Sequence, residues 1–222
     1  MKTILITGVD SGIGKATALK FLSEGDFVIG TSLAEQVDYS HENLKVFHMN
    51  LLLEEDINNC ISQIKDLGKK IDIFINNAGI MVDTDEEKVV IEKLRKTLEV
   101  NLIGTIDFTE KLLSEINEGG HIINISSSAG SLAKTGVSSH KMGYYPGYKI
   151  SKAALNMYTR TLALRLKDKI IVSSIHPGWV KTEMGGQEAN LTSEQSAEDI
   201  FDFAITEPET GQFWFKGEKF DW

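Results

Sequence analysis

Short apolar runs alternate with segments of helical spacing along the chain. Residues 2–7 (KTILIT), 27–32 (FVIGTS), 44–49 (LKVFHM), 71–76 (IDIFIN), 121–126 (HIINIS), 170–176 (IIVSSIH) and 211–215 (GQFWF) read as strands. Between them apolar positions recur three and four apart. That spacing predicts helices over 12–24, 54–67, 88–116 (in one piece or two), 145–167 and 193–205. In the first helix Ile13, Ala16, Ala18, Leu19 and Leu22 fall on or near the inner face; in the second, Ile57, Ile61 and Ile64 do. The strands are apolar on both faces and the β–α–β order repeats. Both features call for a parallel sheet covered by helices on each side. The irregular stretches 127–144 and 178–192 each follow a strand end, where such sheets bind ligands, so they are expected to wall a substrate pocket.

Composition narrows the function. The 222 residues suit a single domain, with no linker in sight. A net charge of −9 repels nucleic-acid phosphates and anionic membranes. Cys60 is the only cysteine, which excludes a disulfide framework within the chain and reads as a small apolar residue on a helix. No apolar run approaches the ~18 residues of a membrane span, and no leader pattern precedes the first strand, so a cytoplasmic protein is expected. The histidines His41, His48, His121, His140 and His176 have no ligand spacing with one another or with Cys60, so no metal is expected.

The first strand runs straight into TGVDSGIG, residues 7–14, and then into a helix. Gly8 suits a tight turn, Gly12 lets backbone approach a phosphate, and Gly14 permits close helix–sheet packing. The free N–H groups of the helix start attract a pyrophosphate. Further along, Tyr148 precedes Lys152 by one helical turn in YKISKAAL. An ammonium beside a phenol favours the phenolate, and such a pair can pass a proton to or from a substrate oxygen. Tyr145 and Lys149 share that spacing. Pro146 suits a first helical turn, which leaves Tyr145 at or before the helix start.

TGxxxGIG, NNAG at 76–79, a serine in NISS, YxxSK and then PG, in this order over the whole chain, resemble the short-chain dehydrogenase/reductase family. PGWVKTEMGG, NLTSEQSA and the ending GQFWFKGEKFDW look like its C-factor-like and carbonyl-reductase branch. The resemblance implies a single-domain α/β Rossmann-type fold: a doubly wound parallel sheet of about seven strands, order 3-2-1-4-5-6-7, with helices on both faces. It implies NAD(P)-dependent interconversion of a carbonyl and an alcohol.

The family pattern assigns roles residue by residue. Tyr148 is the proton donor and acceptor. Lys152 lowers the Tyr148 pKa and holds the nicotinamide ribose. The serine counted from Asn124 is Ser127, in preference to Ser126 and Ser128, and orients the carbonyl. Asn101 in VNLIG supports a proton relay through water. Gly8, Ser11, Gly12, Ile13 and Gly14 take the pyrophosphate. Asn50 and Leu51 lie at the adenine, with Asn50 where the family usually has an acid. Asn77, Ala78 and Gly79 lie against the adenosine ribose. Pro177, Gly178, Val180 and Thr182 meet the nicotinamide, while Trp179 and Met184 line the substrate pocket or simply pack.

Coenzyme choice falls on Ser32, where an NAD-selecting acid is absent. Ser11 is neutral where NADP users often carry a base. Thr31 and Ser32 can hydrogen-bond a 2′-phosphate, which favours NADP(H) slightly over NAD(H). The expected partner is a small-molecule carbonyl or alcohol. The 21 positions from Ser127 to Tyr148 make only a modest insert, which leaves monomer and homodimer both open. A non-catalytic dinucleotide-binding sensor of C-factor-like type is the competing function.

Overall fold

The computed structural model describes residues 1–84, 86–136 and 143–222. Its element order is β1 (Thr3–Thr7), α1 (Gly12–Ser23), β2 (Phe27–Ser32), β3 (Leu44–His48), α2 (Glu54–Asp66), β4 (Ile71–Asn76), α3 (Ile91–Leu98), α4 (Thr105–Leu112), β5 (Ile116–Ile125), α5 (Pro146–Arg165), β6 (Ile171–Ile175), α6 (Ser193–Ala204), β7 (Gln212–Phe215) and β8 (Glu218–Lys219). The strands form one sheet in the order β3-β2-β1-β4-β5-β6-β7-β8. All neighbours are parallel except β7 and β8, which pair antiparallel. The doubly wound parallel sheet expected from the sequence is therefore present. The reversal between β1 and β4 creates the crevice in which such sheets bind ligands.

Strand alternation divides the core into two layers. Leu5, Phe74 and Ile122 face α2, α4 and α5, with Ile57, Ile61, Ile64 and Phe108. Ile4, Ile6, Ile73, Ile75 and Ile123 face α1 and α6, with Phe21, Ile200 and Phe203. A side-chain period of two places both sets on one strand. Cys60 is fully buried in the first layer, and burial pushes its thiol up to about 12, in keeping with a packing role. Among the described residues no helix is long and apolar enough to cross a membrane, and no cluster of His, Cys, Asp or Glu could hold a metal.

Four details differ from the expectation. Leu19 is exposed on α1, and Phe21 is buried in its place. The fifth strand begins at Ile116, five residues early: Ile116 pairs with Ile71, and the register then shifts through a bulge that includes Gly119, at φ 79°, before His121 pairs with Ile73. The turn after Phe215 is built on Lys216 and Gly217, both at positive φ, and adds β8. The predicted helix over 88–116 is one continuous helical run from Ile91 to Glu115, with a π-helical segment at Glu99–Gly104. Such a segment widens the helix locally and often marks a functional position; Asn101 lies within it.

Candidate active site

The glycine turn closes on the sheet. Gly8 and Gly12 adopt φ of 70° and 53°, which L side chains rarely take. A Cβ on Gly14 would stand 1.9 Å from the Gly8 carbonyl oxygen, so only glycine allows α1 to start this close to β1. The Ser11 side chain makes no cap bond, so the first N–H groups of α1 keep their capacity for an anion. This cradle fits a pyrophosphate.

Asn77 and Ala78 hold that cradle shut. Thr7 Oγ1 accepts from both backbone N–H groups at 2.9 Å, and Asn77 Nδ2 donates to the Thr7 and Gly8 carbonyls at 2.8 and 3.1 Å. The Asn77 amide is thereby committed to the turn. Gly79 lies between Asn101 Oδ1 and Lys152 Nζ, 3.2 and 3.7 Å from where its Cβ would be.

After β2 and β3, Ser32 is buried and its Oγ accepts from Ala34 N–H at 2.9 Å, while Asn50 Oδ1 accepts from Leu52 N–H at 3.0 Å. Leu51 is packed against Gly104, whose Cβ would lie 2.2 Å from the Leu51 carbonyl oxygen. One cation here was not legible at Ser11 or Ser32. Lys15 pairs with Asp38 at 2.6 Å and lies 5.5 Å over Tyr39, whose hydroxyl donates to the Val9 carbonyl in the glycine turn. Its signal in the sequence was its place in the first turn of α1.

The segment after β6 meets the same turn. Gly178 has φ 88°, and a Cβ there would lie 2.3 Å from Leu191. Val180 is buried and bridges to Leu191. Thr182 Oγ1 accepts from Gly185 N–H at 2.9 Å, and its methyl lies 3.2 Å from where a Cβ of Gly12 would be. The Pro177 carbonyl accepts from Ser196 Oγ at 2.8 Å, tying the segment to α6. Trp179 and Met184 are exposed, and Trp179 Nε1 donates to the Gly185 carbonyl.

Beyond β5 the three serines separate. Ser126 is buried with its Oγ at the Lys152 carbonyl, and Ser128 is buried in the turn that follows. Ser127 Oγ accepts from Ala129 N–H at 3.1 Å, and its side chain acts on the Tyr148 phenol, drawing its pKa down. Tyr145 stands at the N-cap of α5 with φ 26°, its ring 6.1 Å from that of Tyr148 and 5.1 Å from Lys149 Nζ. Of the two tyrosine–lysine pairs, Tyr148–Lys152 is thus the one that meets Ser127. Of the expected wall 127–144, residues 137–142 lie outside the described residues, as does His140.

Electrostatics depart from the expectation for Lys152. Tyr148 is pushed up to about 12 by burial; Ser127 draws it back and Tyr145 adds to the rise. Lys152 makes no hydrogen bond to the phenol in this arrangement. Its ammonium, 5.6 Å from the Tyr148 ring centre, is committed to the Ile125 carbonyl at 2.7 Å. Burial also lowers Lys152 to about 8. Asn101 is likewise committed: Oδ1 accepts from Ile80 N–H at 2.7 Å, and Nδ2 donates to the Ile80 carbonyl and to Ser151 Oγ.

A buried polar chain, not foreseen, locks α4 and α5 to the strands. Asn76 Nδ2 donates to Thr109 Oγ1 and Asn124 Oδ1; Asn124 Nδ2 donates to Thr159 Oγ1, which bonds Ser174 Oγ at 2.8 Å. Asn76 and Asn124 are register partners on β4 and β5, as are Asn124 and Ser174 on β5 and β6.

A family model described as short chain dehydrogenase matches residues 2–193. The 3-oxoacyl-acyl-carrier-protein reductase FabG of Aquifex aeolicus is 35% identical over 196 residues, 82% of this chain and 75% of that one. The NADPH-dependent 3-dehydrocapnine reductase of Ornithobacterium rhinotracheale is 32% identical over 200 residues, 84% and 68% of the two chains. The carbonyl reductase Sniffer of D. melanogaster superposes with a TM-score of 0.89 at 26% identity, covering all of both chains. An NADP-bound short-chain dehydrogenase/reductase from Burkholderia multivorans does so at 0.85 and 26%, covering 100% and 99%.

Proposed function

The chain belongs to the short chain dehydrogenase family, and from that premise we propose that it interconverts a small-molecule carbonyl and an alcohol with a nicotinamide coenzyme. One observation carries this reading. Ser127, Tyr148 and Lys152 converge at the end of β5, with Asn101 beside Lys152 across Gly79.

A bound nicotinamide coenzyme would supply or accept the hydride. Gly8, Ser11, Gly12, Ile13 and Gly14 would hold its pyrophosphate, Ser32, Asn50 and Leu51 its adenosine end, and Asn77, Ala78 and Gly79 its adenosine ribose. Pro177, Gly178, Val180 and Thr182 would hold the nicotinamide. The Tyr148 phenol gives its proton to the carbonyl oxygen during reduction and takes one from the alcohol during oxidation. Ser127 donates a hydrogen bond to that oxygen and fixes its distance from the phenol. Lys152, at a pKa of about 8, is mostly protonated at neutral pH. Released from the Ile125 carbonyl, the ammonium can turn to the phenol and to the nicotinamide ribose. At ~6 Å and an effective dielectric of ~20, a unit charge is worth about 3 kcal/mol, or about 2 pKa units. That is enough to offset the rise that burial imposes on Tyr148. Asn101 holds the Ile80 backbone and supports a proton route from Lys152.

The coenzyme reading favours NADP(H) slightly. No acid stands at Ser32, and the Ornithobacterium relative is named as NADPH-dependent. Following NADPH and NADH consumption side by side with a panel of aldehydes, quinones and ketones tests both points. Turnover with NADPH is expected. Tight coenzyme binding with no turnover on the panel would support a sensor instead, and a tenfold preference for NADH would defeat the coenzyme assignment.

A further inference from the structure

We propose that Asp83 is a positioning residue of this reaction: its buried carboxylate, carried on the segment after β4, caps the start of α5 at Gly147 and so fixes where the Tyr148 phenol stands. The proposal rests on Tyr148 as the proton carrier.

The helix that carries Tyr148 has no cap of its own. Its N-cap residue, Tyr145, makes no side-chain cap bond and sits at φ 26°, outside the extended region that capping residues adopt. The opening N–H groups of a helix need acceptors, and a negative charge there is favoured by the helix dipole. Asp83 provides both from 64 residues away in sequence: Oδ2 accepts from Gly147 N–H at 2.6 Å, in a buried contact. Asp83 is only 3% exposed. A Cβ on Gly147 would stand 3.0 Å from that oxygen and 3.5 Å from the Leu94 Cα, so any larger residue before Tyr148 presses directly on the carboxylate. Oδ1 finds no hydrogen-bond partner among the described residues, so there the Gly147 N–H is the contact that holds the group.

The carrier segment is itself fixed at two earlier points. Asn77 and Ala78 are held by Thr7 at the glycine turn, and Ile80 is held at both N–H and carbonyl by Asn101. Asp83 is the third anchor of one strap that runs from the coenzyme cradle, past the Asn101 side chain, to the catalytic helix. Tyr148 follows Gly147 directly and is in the first helical turn, the part most prone to fray. A displacement of about 1 Å at a reacting group costs on the order of 100-fold in rate.

The test compares Asp83→Ala, Asp83→Asn and Gly147→Ala. Asn keeps an oxygen acceptor for the Gly147 N–H; Gly147→Ala pushes the carboxylate away from the helix side. Asp83→Ala and Gly147→Ala should lower kcat about 10- to 100-fold with substrate KM and coenzyme Kd changed less than threefold, and Asp83→Asn should recover kcat to within about fivefold of wild type. Should Asp83→Ala not fold, Gly147→Ala and Asp83→Asn decide. Unchanged kcat in Gly147→Ala, or an Asp83→Asn enzyme as slow as Asp83→Ala or Gly147→Ala, overturns the proposal. Hydrogen exchange at the Gly147 and Tyr148 amides requires no turnover. Acceleration of at least tenfold in Asp83→Ala and Gly147→Ala, absent in Asp83→Asn, supports the cap even if the wild type reduces no carbonyl; in that case the functional reading fails and the cap stands. No acceleration in either overturns the cap itself.

Discussion

His121 should make the fold acid-sensitive at a point remote from the chemistry. It lies near the start of the core part of β5, facing α6, with 3% exposure. Its Nε2 meets Ser173 Oγ at 3.0 Å, while Nδ1 faces the Ala204 carbonyl without reaching good hydrogen-bond geometry. Burial lowers its pKa from 6.5 to about 4, and Lys2 adds a smaller push in the same direction. Because the folded pKa is depressed, the unfolded chain binds the proton first. The stabilising contribution is complete above pH 6.5 and is lost as pH falls toward 4. Linkage between these two values gives a loss of about 2 kcal/mol from pH 7 to pH 5, and a limit near 3.4 kcal/mol below pH 4. For a chain of this size the loss to pH 5 corresponds to a Tm drop of about 4–7 °C. Other groups titrate over the same range, so the quantity to measure is the difference between wild type and His121→Gln. Urea unfolding at pH 7, 6 and 5 should show the variant losing about 2 kcal/mol less than wild type. Parallel pH dependences in the two proteins would refute the reasoning.

Other consequences follow from single contacts. Asn124→Ala removes one bond from Asn76 Nδ2, which keeps Thr109, and one from Thr159 Oγ1, which keeps Leu155 and Ser174, and should cost about 1–3 kcal/mol in denaturant unfolding. Gly14→Ala drives a Cβ against the Gly8 carbonyl and should weaken coenzyme binding at least about tenfold, read by fluorescence titration. Ser127→Ala removes the donor expected at the carbonyl oxygen and should lower kcat about 100- to 1,000-fold with coenzyme affinity retained.

Local parts of this arrangement are legible in the sequence. TGVDSGIG could be placed because strand, turn and helix follow one another directly in sequence. Ser127 is singled out by its count from Asn124, and the structure sets it apart from Ser126, whose Oγ turns to the Lys152 carbonyl. What escaped was long-range. Asp83 caps a helix 64 residues away, and no local pattern around MVDT announces that role. The Asn76–Asn124–Ser174 chain depends on strand register, which sequence periodicity leaves open. Lys152 illustrates a different limit. The spacing puts it one turn from Tyr148 but cannot say that a strand carbonyl competes for its ammonium. Burial, likewise, raises the phenol by an amount that the spacing of Tyr148 and Lys152 does not contain.

The most direct test of the account is Tyr148→Phe, assayed for turnover and for coenzyme binding in the same preparation. The side chain keeps its ring and its packing against Tyr145 and loses only the hydroxyl that faces Ser127. Turnover should fall at least about 1,000-fold while coenzyme Kd stays within about threefold of wild type. Activity within tenfold of wild type would contradict the assignment of Tyr148 as the proton carrier.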